Sequence, residues 1–290
     1  MKNIENLKTG DVAVVGIPSD ANSSFMRGPA LAPARIRQVL LAGSANMTTE
    51  LGLDLEQHDD WGFAGDLALT VPDADTQIEA GISGLLDQGL RVVSLGGDHS
   101  ITFPIMRAVS RRYPELTLVQ LDAHPDLYDE LDGNRLSHAC PFARIMEAGL
   151  VKRLVQIGIR TLNQHQREQA ERFGVEIITA AAWPGSRILR ATSVQPGAEG
   201  TGSLAEPQPL TGPIYLSLDL DVLDPAFAPG VSHHEPGGLS SRDVIDLIQA
   251  LPGPIVGADI VELNPHRDLV NMTAMVAAKC LKEILGQMLG

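Results

Sequence analysis

The sequence predicts an α/β fold of three layers, in which helices cover both faces of a central parallel sheet. Three observations lead to this prediction. Short segments rich in β-branched residues recur along the chain, stretches with helical periodicity separate them, and polar or glycine-rich clusters follow them. Nearly continuous apolar strands of this kind are typical of a parallel sheet that is buried on both faces.

Strand and helix candidates alternate along most of the chain. The predicted strands are 11–17, 91–95, 116–122, 153–159, 175–179, 214–221 and 254–262. The predicted helices are 33–41, 76–88, 142–148, 164–173, 241–251 and 272–288. We expect each helix to cross one face of the sheet between two strands.

The length and composition favour a single catalytic domain over residues 1–290. Of these residues 44% are apolar and 20% are charged, which is enough apolar material for a large core. A segment rich in Pro, Gly, Ser and Thr, residues 183–213, shows little periodicity and is predicted to be a surface loop. This segment is either a lid or subunit contact, or a tolerated insertion, and the insertion is favoured.

Charge and cysteine content exclude several classes of function. The chain carries 36 acidic and 22 basic residues, a net charge of −14, so we expect no nucleic-acid partner and no anionic membrane surface. Only Cys140 and Cys280 are present, which excludes a disulfide framework. Residues 1–10 lack the features of a signal or transit peptide, and no apolar run approaches a membrane span of about 20 residues. We therefore expect a cytoplasmic protein.

Acidic and histidine residues lie at the carboxyl ends of three predicted strands. The first of these strands is followed by Gly-Gly-Asp-His-Ser, the second by Asp-Ala-His-Pro-Asp, and the third ends in Ser-Leu-Asp-Leu-Asp. Ligands bind outside the carboxyl ends of the strands in open α/β sheets, so these motifs converge on one place. The candidate metal ligands are His99, Asp122, His124, Asp126, Asp219 and Asp221.

This set of side chains favours a site for two divalent cations. Four neighbouring carboxylates repel one another and raise one another's pKa unless cations neutralise them. Four carboxylates with two imidazoles suit Mn²⁺, with Ni²⁺ or Co²⁺ as alternatives, whereas structural zinc prefers thiolate and imidazole ligands. Any one motif alone is explained as well by an exposed strand end or a capping aspartate, but the three together favour two Mn²⁺ per chain.

The expected charge of the site indicates the class of reaction. Two divalent ions, four carboxylates and one hydroxide sum to about −1, which would attract a small cationic substrate. Metal coordination lowers the pKa of bound water toward neutrality, so hydrolysis is the expected chemistry.

Four further residues lie near the predicted site. His138, on a loop, either transfers protons to a leaving amine or caps a helix. Glu262, at the end of the last strand, either pairs with a planar guanidinium or is a solvated strand-end carboxylate. At most one of His233 and His234 lines the site, since adjacent residues of an extended chain point in opposite directions, and a loop-stabilising role is favoured for the pair.

The three motifs resemble those of the ureohydrolase family of arginases and agmatinases. The segments Gly-Ile-Pro at 16–18 and Val-Glu-Leu-Asn-Pro at 261–265 are also similar, so the resemblance covers most of the chain outside 183–213. Two stretches, 122–142 and 226–242, look most like the plant-type arginases. Most other members carry Gly-Thr-Pro where this chain has Ser-His-His at 232–234, which leaves the substrate open.

The resemblance implies a role for each matching residue. His99, Asp122, Asp126 and Asp219 would hold one manganese ion, and Asp122, His124, Asp219 and Asp221 the other. An activated water would attack the guanidinium carbon, with His138, Glu262 and Asp126 as the catalytic residues. Glu262 and His138 would contact the substrate. The loop that grips the α-carboxylate in typical arginases is not reproduced, and either Asn134, which stands in a comparable place, or a residue of 22–27 would pair with that group. The family assembles as trimers or hexamers, so a homo-oligomer is expected.

The favoured activity is hydrolysis of L-arginine to L-ornithine and urea. The alternatives are agmatine hydrolysis to putrescine and urea, or hydrolysis of another guanidino acid. A non-catalytic binding protein is disfavoured, because the six metal ligands, His138 and Glu262 are all present. A metal deacetylase or another binuclear hydrolase is disfavoured, because it would not need Glu262 in a Glu-x-Asn-Pro setting.

Overall fold

The computed structural model describes residues 2–185 and 210–290 and confirms the three-layer α/β/α fold class. One sheet of nine strands has the order β1-β3-β2-β4-β9-β8-β5-β6-β7, with every neighbouring pair parallel. Most of the predicted surface loop, residues 186–209, lies outside the described residues. No helix in the described ranges has both the length and the apolar character needed to cross a membrane.

The described residues form nine strands and seven α-helices, in addition to short 3₁₀ helices. The strands are β1 (Lys2–Asn3), β2 (Val12–Gly16), β3 (Trp61–Asp66), β4 (Arg91–Leu95), β5 (Thr117–Leu121), β6 (Arg153–Ile159), β7 (Glu176–Thr179), β8 (Ile214–Asp219) and β9 (Ile255–Val261). The helices are α1 (Ala32–Leu40), α2 (Ala74–Asp87), α3 (Thr102–Val109), α4 (Pro141–Glu147), α5 (Gln164–Phe173), α6 (Ser241–Ala250) and α7 (Met272–Leu289). All seven predicted strands are present, with ends within two residues of the prediction, whereas β1, β3 and α3 were not predicted.

The alternation of side chains along the strands builds two separate cores. In β2, Val12 and Val14 belong to a buried cluster that includes residues of α1, α6 and α7. Ala13 and Val15 belong to a second cluster that includes residues of α2, α3, α4 and α5. Both faces of the sheet are therefore apolar, which explains why these strands lack an alternation of polar and apolar residues.

The site lies at the point in the sheet where the order of the strands reverses. Strands β4 and β5 follow each other along the chain, yet β9 and β8 lie between them. Such a switch leaves a crevice at the carboxyl ends of the strands. The loop after β4 is held there closely, because the N–H of Asp98 donates to the carbonyl of Ser19 and the N–H of Glu262 to that of Gly97. A Cβ atom on Gly97 would lie 1.7 Å from the carbonyl oxygen of Ser19, so only glycine fits.

We predict that Gly97→Ala lowers the free energy of unfolding by about 2 kcal/mol or more, because the added methyl overlaps backbone. The control is Gly84→Ala in α2, where a Cβ meets no atom within 4 Å. That change should stabilise the protein by about 0.5–1 kcal/mol through helix propensity. Denaturant unfolding of both variants measures this, and equal stability of the two would contradict the close approach.

Candidate functional site

The structure brings the six predicted ligand residues together at the carboxyl edge of the sheet. His99 begins a 3₁₀ turn, His99–Ile101, which three residues separate from the end of β4. Asp122 follows β5, and Asp219 is the last residue of β8. His124 and Asp126 lie on the loop that continues from β5, and Asp221 lies in the 3₁₀ turn, Leu220–Val222, that follows β8.

Backbone donors orient several of these carboxylates. Asp122 Oδ1 accepts the N–H of His124 at 2.6 Å, and Asp219 Oδ1 accepts the N–H of Asp221 at 2.8 Å. Asp126 has a φ of 48°, in the left-handed region that costs energy for a residue with a side chain. Backbone strain of this kind is concentrated at functional sites, where the surrounding structure imposes it.

The atoms of the cluster form two groups that share one residue. The Nδ1 atom of His99 lies 3.1 Å from Asp122 Oδ2, 3.2 Å from Asp126 Oδ2 and 3.1 Å from Asp219 Oδ2. The Nδ1 atom of His124 lies 2.9 Å from Asp221 Oδ2. Two sets have ligand atoms within 4.8 Å of one another, as a metal ion requires: His99, Asp122 and Asp126, and Asp122, His124 and Asp221. Asp122 belongs to both sets.

A buried hydrogen-bond chain sets the tautomer of His99. Its Nε2 atom lies 2.9 Å from Ser217 Oγ, and Ser217 donates its hydroxyl hydrogen to Asp259 Oδ1 at 2.7 Å. Tyr215 and Thr102 also donate to Asp259, so this carboxylate is fully occupied by donors. The Ser217 oxygen therefore accepts the Nε2 hydrogen, and in the neutral ring this leaves a lone pair on Nδ1.

This tautomer makes the cluster fit a cation. The Nδ1 atom of His99 is buried and makes no hydrogen bond, although three carboxylate oxygens surround it. Four potential ligand atoms thus converge on one point, an arrangement that a metal ion satisfies. The carboxylate-rich donor set matches divalent cations that prefer oxygen and imidazole ligands.

The electrostatics of the cluster agree with this fit. Burial, reinforced by the charges of Asp221 and Asp122, holds the pKa of Asp219 well above its usual range. Burial and the charge of Asp122 raise the pKa of Asp126 to about 6. Burial lowers the pKa of His124, but Asp221 and Asp122 more than offset this and raise it to about 12. Where no cation is bound, bound protons therefore compensate the negative charge of these carboxylates.

A pair of ionisable groups, His138 and Glu262, lies beside the cluster of carboxylates and histidines. His138 Nδ1 lies 3.0 Å from Glu262 Oε1, and His138 Nε2 lies 2.8 Å from Ser24 Oγ. The same Oε1 accepts the backbone N–H of His99 at 2.9 Å, whereas Oε2 makes no hydrogen bond to a described residue. Burial lowers the pKa of His138, but the hydrogen bond and charge of Glu262 more than offset this and raise it to about 9.

A cavity of about 210 Å³ connects the cluster and this pair. It is lined by Ser24, His124, Asp126, Tyr128, Leu131, His138, Ala139, Thr161, Gln166, Asp219, Asp221, His233 and Glu262. Asn134, the predicted contact of an α-carboxylate, is not among these lining residues. Its amide N–H₂ donates to Asn22 Oδ1, and its amide oxygen accepts the N–H of Leu136. Both ends of this amide therefore stabilise the loops around the site.

Several residues of the site were not predicted from the sequence. His233 lines the cavity, with its ring centroid 4.9 Å from that of His138, whereas His234 is exposed and donates to the carbonyl of Pro229. The alternation of adjacent residues predicted that at most one of the pair would line the site, but could not identify which. Ser217 lies two residues before Asp219 on the same strand, a spacing that could have identified it.

A comparison with protein-family models identifies the family. The model described as "Arginase family" matches residues 10–286. The chain belongs to the arginase family. Members of this family are hydrolases that act on guanidino compounds with two metal ions, so the chain is a metal-dependent ureohydrolase.

Individual members of the arginase family support this assignment. "Arginase 1, mitochondrial" of Arabidopsis thaliana is 44% identical over 94% of this chain and 79% of its own length. "Agmatinase" of Bacillus anthracis is 31% identical over 98% of this chain and 94% of its own length. The solved structure "Arginase from Medicago truncatula" superposes with a TM-score of 0.84 at 39% identity, covering 96% of this chain and 87% of that one.

We predict that Ser217→Ala weakens metal binding by about 10- to 100-fold, because it removes the hydroxyl that orients His99. Equilibrium dialysis against Mn²⁺ measures the dissociation constants. The matched control is Thr117→Val. Thr117 is the first residue of β5, at the end of the strand away from the cluster, so the loss of its buried hydroxyl should leave the affinity for Mn²⁺ unchanged. Wild-type affinity in Ser217→Ala would show that the hydrogen-bond chain does not support the ligand.

Proposed function

We propose that this chain is a manganese-dependent arginase that hydrolyses L-arginine to L-ornithine and urea. The observation that carries the proposal is the position of the His138–Glu262 pair in one cavity with the carboxylate and histidine cluster. The similarity to plant enzymes named arginase, at 44% identity against 31% for an agmatinase, supports the choice of substrate.

The proposed metal ligands follow the two groups of donor atoms. We assign His99, Asp122, Asp126 and Asp219 to one ion, and Asp122, His124, Asp219 and Asp221 to the other. When bound, the ions supply water activated for hydrolysis at neutral pH. The excess of carboxylate over imidazole supports Mn²⁺, and the same donors accommodate Ni²⁺ or Co²⁺.

Glu262 is proposed to bind the guanidinium group. Two donors, the backbone N–H of His99 and the ring of His138, fix its Oε1 atom. Its Oε2 atom makes no hydrogen bond to a described residue, so it is available to accept hydrogen bonds from the planar guanidinium. Charge-assisted hydrogen bonds of this kind are about twice as strong as neutral ones, which favours a cationic guanidinium over a neutral amide.

His138 is proposed to transfer the proton that the leaving amine requires. Because the pKa of its ring is raised to about 9, most of it is protonated at neutral pH. The Ser24 hydroxyl holds Nε2, and Glu262 holds Nδ1, so both ring nitrogens are positioned. Asp126, the third proposed catalytic residue, lines the cavity beside His138 and contributes to the raised pKa of that ring.

The recognition of the amino-acid end of the substrate determines whether arginine or agmatine is preferred. The neutral donors Ser24, Tyr128, Thr161 and Gln166 line the cavity and are the proposed contacts of the α-carboxylate. Agmatine is the second candidate, since none of the described lining residues is a lysine or an arginine. A cavity without cationic groups also suits a substrate that lacks the carboxylate.

The remaining expectations concern the whole protein. We propose a single catalytic domain over residues 1–290, which one continuous sheet supports. We also propose a homo-oligomer, as trimer or hexamer, on the basis of the family resemblance. A cytoplasmic location stays a prediction from the sequence, and plant relatives are named mitochondrial.

His138→Asn should lower kcat by about 10²- to 10⁴-fold, since it removes the proposed proton donor. The Mn²⁺ content should stay normal, because His138 is not a proposed ligand. Urea release and metal analysis measure the two effects. His58→Asn, a change in a partly exposed histidine beside Asp60, is the control. An unchanged kcat in His138→Asn would assign His138 a structural role only.

The proposed function is tested by urea release from the manganese-loaded protein. We expect kcat/KM for L-arginine to exceed that for agmatine and for shorter guanidino acids by about 100-fold, or about 2.7 kcal/mol in the transition state. A preference for agmatine would make the chain an agmatinase. No urea from any of these compounds, with both metal ions bound, would contradict the proposal.

A further inference from the structure

A third group of potential metal ligands lies beside the two carboxylate groups. It consists of His138, His233 and Glu262, and its ligand atoms lie within 4.8 Å of one another. None of the six proposed manganese ligands belongs to it. All three residues line the cavity, so a cation that enters the cavity can reach them.

The geometry of this group is partly set in advance. Glu262 and His138 are buried, and they already lie 3.0 Å apart through Oε1 and Nδ1. The ring of His233 lies beside that of His138, with centroids 4.9 Å apart, and its centroid lies 5.8 Å from that of Phe25. His233 is half-buried on the loop that connects β8 to α6. It is therefore the ligand that can move.

The chemistry of the donors differs from that of the manganese site. Two imidazoles and one carboxylate are a ligand set that catalytic zinc sites use, with a fourth position left open. We propose that His138, His233 and Glu262 bind Zn²⁺ as a third, inhibitory cation of the manganese-loaded protein. Inhibition rests on the proposed function, because zinc would occupy the residues assigned to the guanidinium and to proton transfer. The binding of zinc to these three residues does not depend on the proposed function.

The proposed site requires a small movement and the release of a proton. Zinc binds nitrogen at about 2.0–2.1 Å and carboxylate oxygen at about 2.0–2.2 Å, so its ligand atoms lie about 3–3.5 Å apart. His233 must therefore approach the pair by roughly 1–2 Å, within the range of a side-chain adjustment. Since imidazole binds zinc in its neutral form, the hydrogen between His138 and Glu262 is released to solvent.

The test compares two adjacent histidines. The full chain is loaded with Mn²⁺ and titrated with Zn²⁺, and the rate of urea release is expressed relative to each protein's own zinc-free rate. We expect His233→Gln to require at least tenfold more zinc for half inhibition than the wild type. His234→Gln, which changes the exposed neighbour, should be inhibited like the wild type.

A second measurement does not depend on activity. Equilibrium dialysis of the manganese-loaded protein against Zn²⁺ should show one bound zinc per chain with no loss of manganese, and His233→Gln should lose that zinc. Wild-type zinc binding by His233→Gln, or zinc uptake with equal loss of manganese, would overturn the proposal. If the protein releases no urea, dialysis still decides whether the zinc site exists, so the two proposals fail separately.

Discussion

The repulsion among buried carboxylates at one edge of the sheet is the constraint on which the rest of this structure depends. Asp122, Asp126, Asp219 and Asp221 are almost completely buried and lie around only two imidazoles. Such a set is stable only with compensating positive charge, from protons or from metal ions. Asp122 belongs to both groups of donor atoms, so the two halves of the cluster are coupled through one side chain.

The fold holds these groups in place despite their repulsion. The proposed ligands lie at the ends of strands whose two faces are covered by helices, so the backbone cannot relax without breaking a core. The chain from His99 through Ser217 to Asp259 adds a directional support from β8 and β9. The N–H of Glu262 donates to the carbonyl of Gly97 and the N–H of His138 to that of Asn22, which holds this pair beside the cluster. The carboxylate and histidine cluster and the His138–Glu262 pair therefore share one cavity.

Much of the fold was predictable because the central strands are short apolar runs with polar residues at their ends. Strand β3 was missed because Trp61–Asp66 contains no β-branched residue and is held instead by parallel pairing with β2. Helix α3 was missed because Thr102–Val109 is short and contains Pro104. The six converging ligand residues were predictable for the same reason as the strands, since their positions follow from strand ends. The placements of Asn134 and His233 were not, because they depend on how loops distant in sequence pack together.

We infer that the buried carboxylates form one site for two divalent cations, coupled through Asp122. Equilibrium dialysis against Mn²⁺, followed by metal analysis, tests this coupling. We expect two manganese ions per chain in the wild type and the loss of both in Asp122→Ala, with His124→Ala retaining the ion on the His99 side. Two ions per chain in Asp122→Ala would show that Asp122 does not couple the two halves of the site.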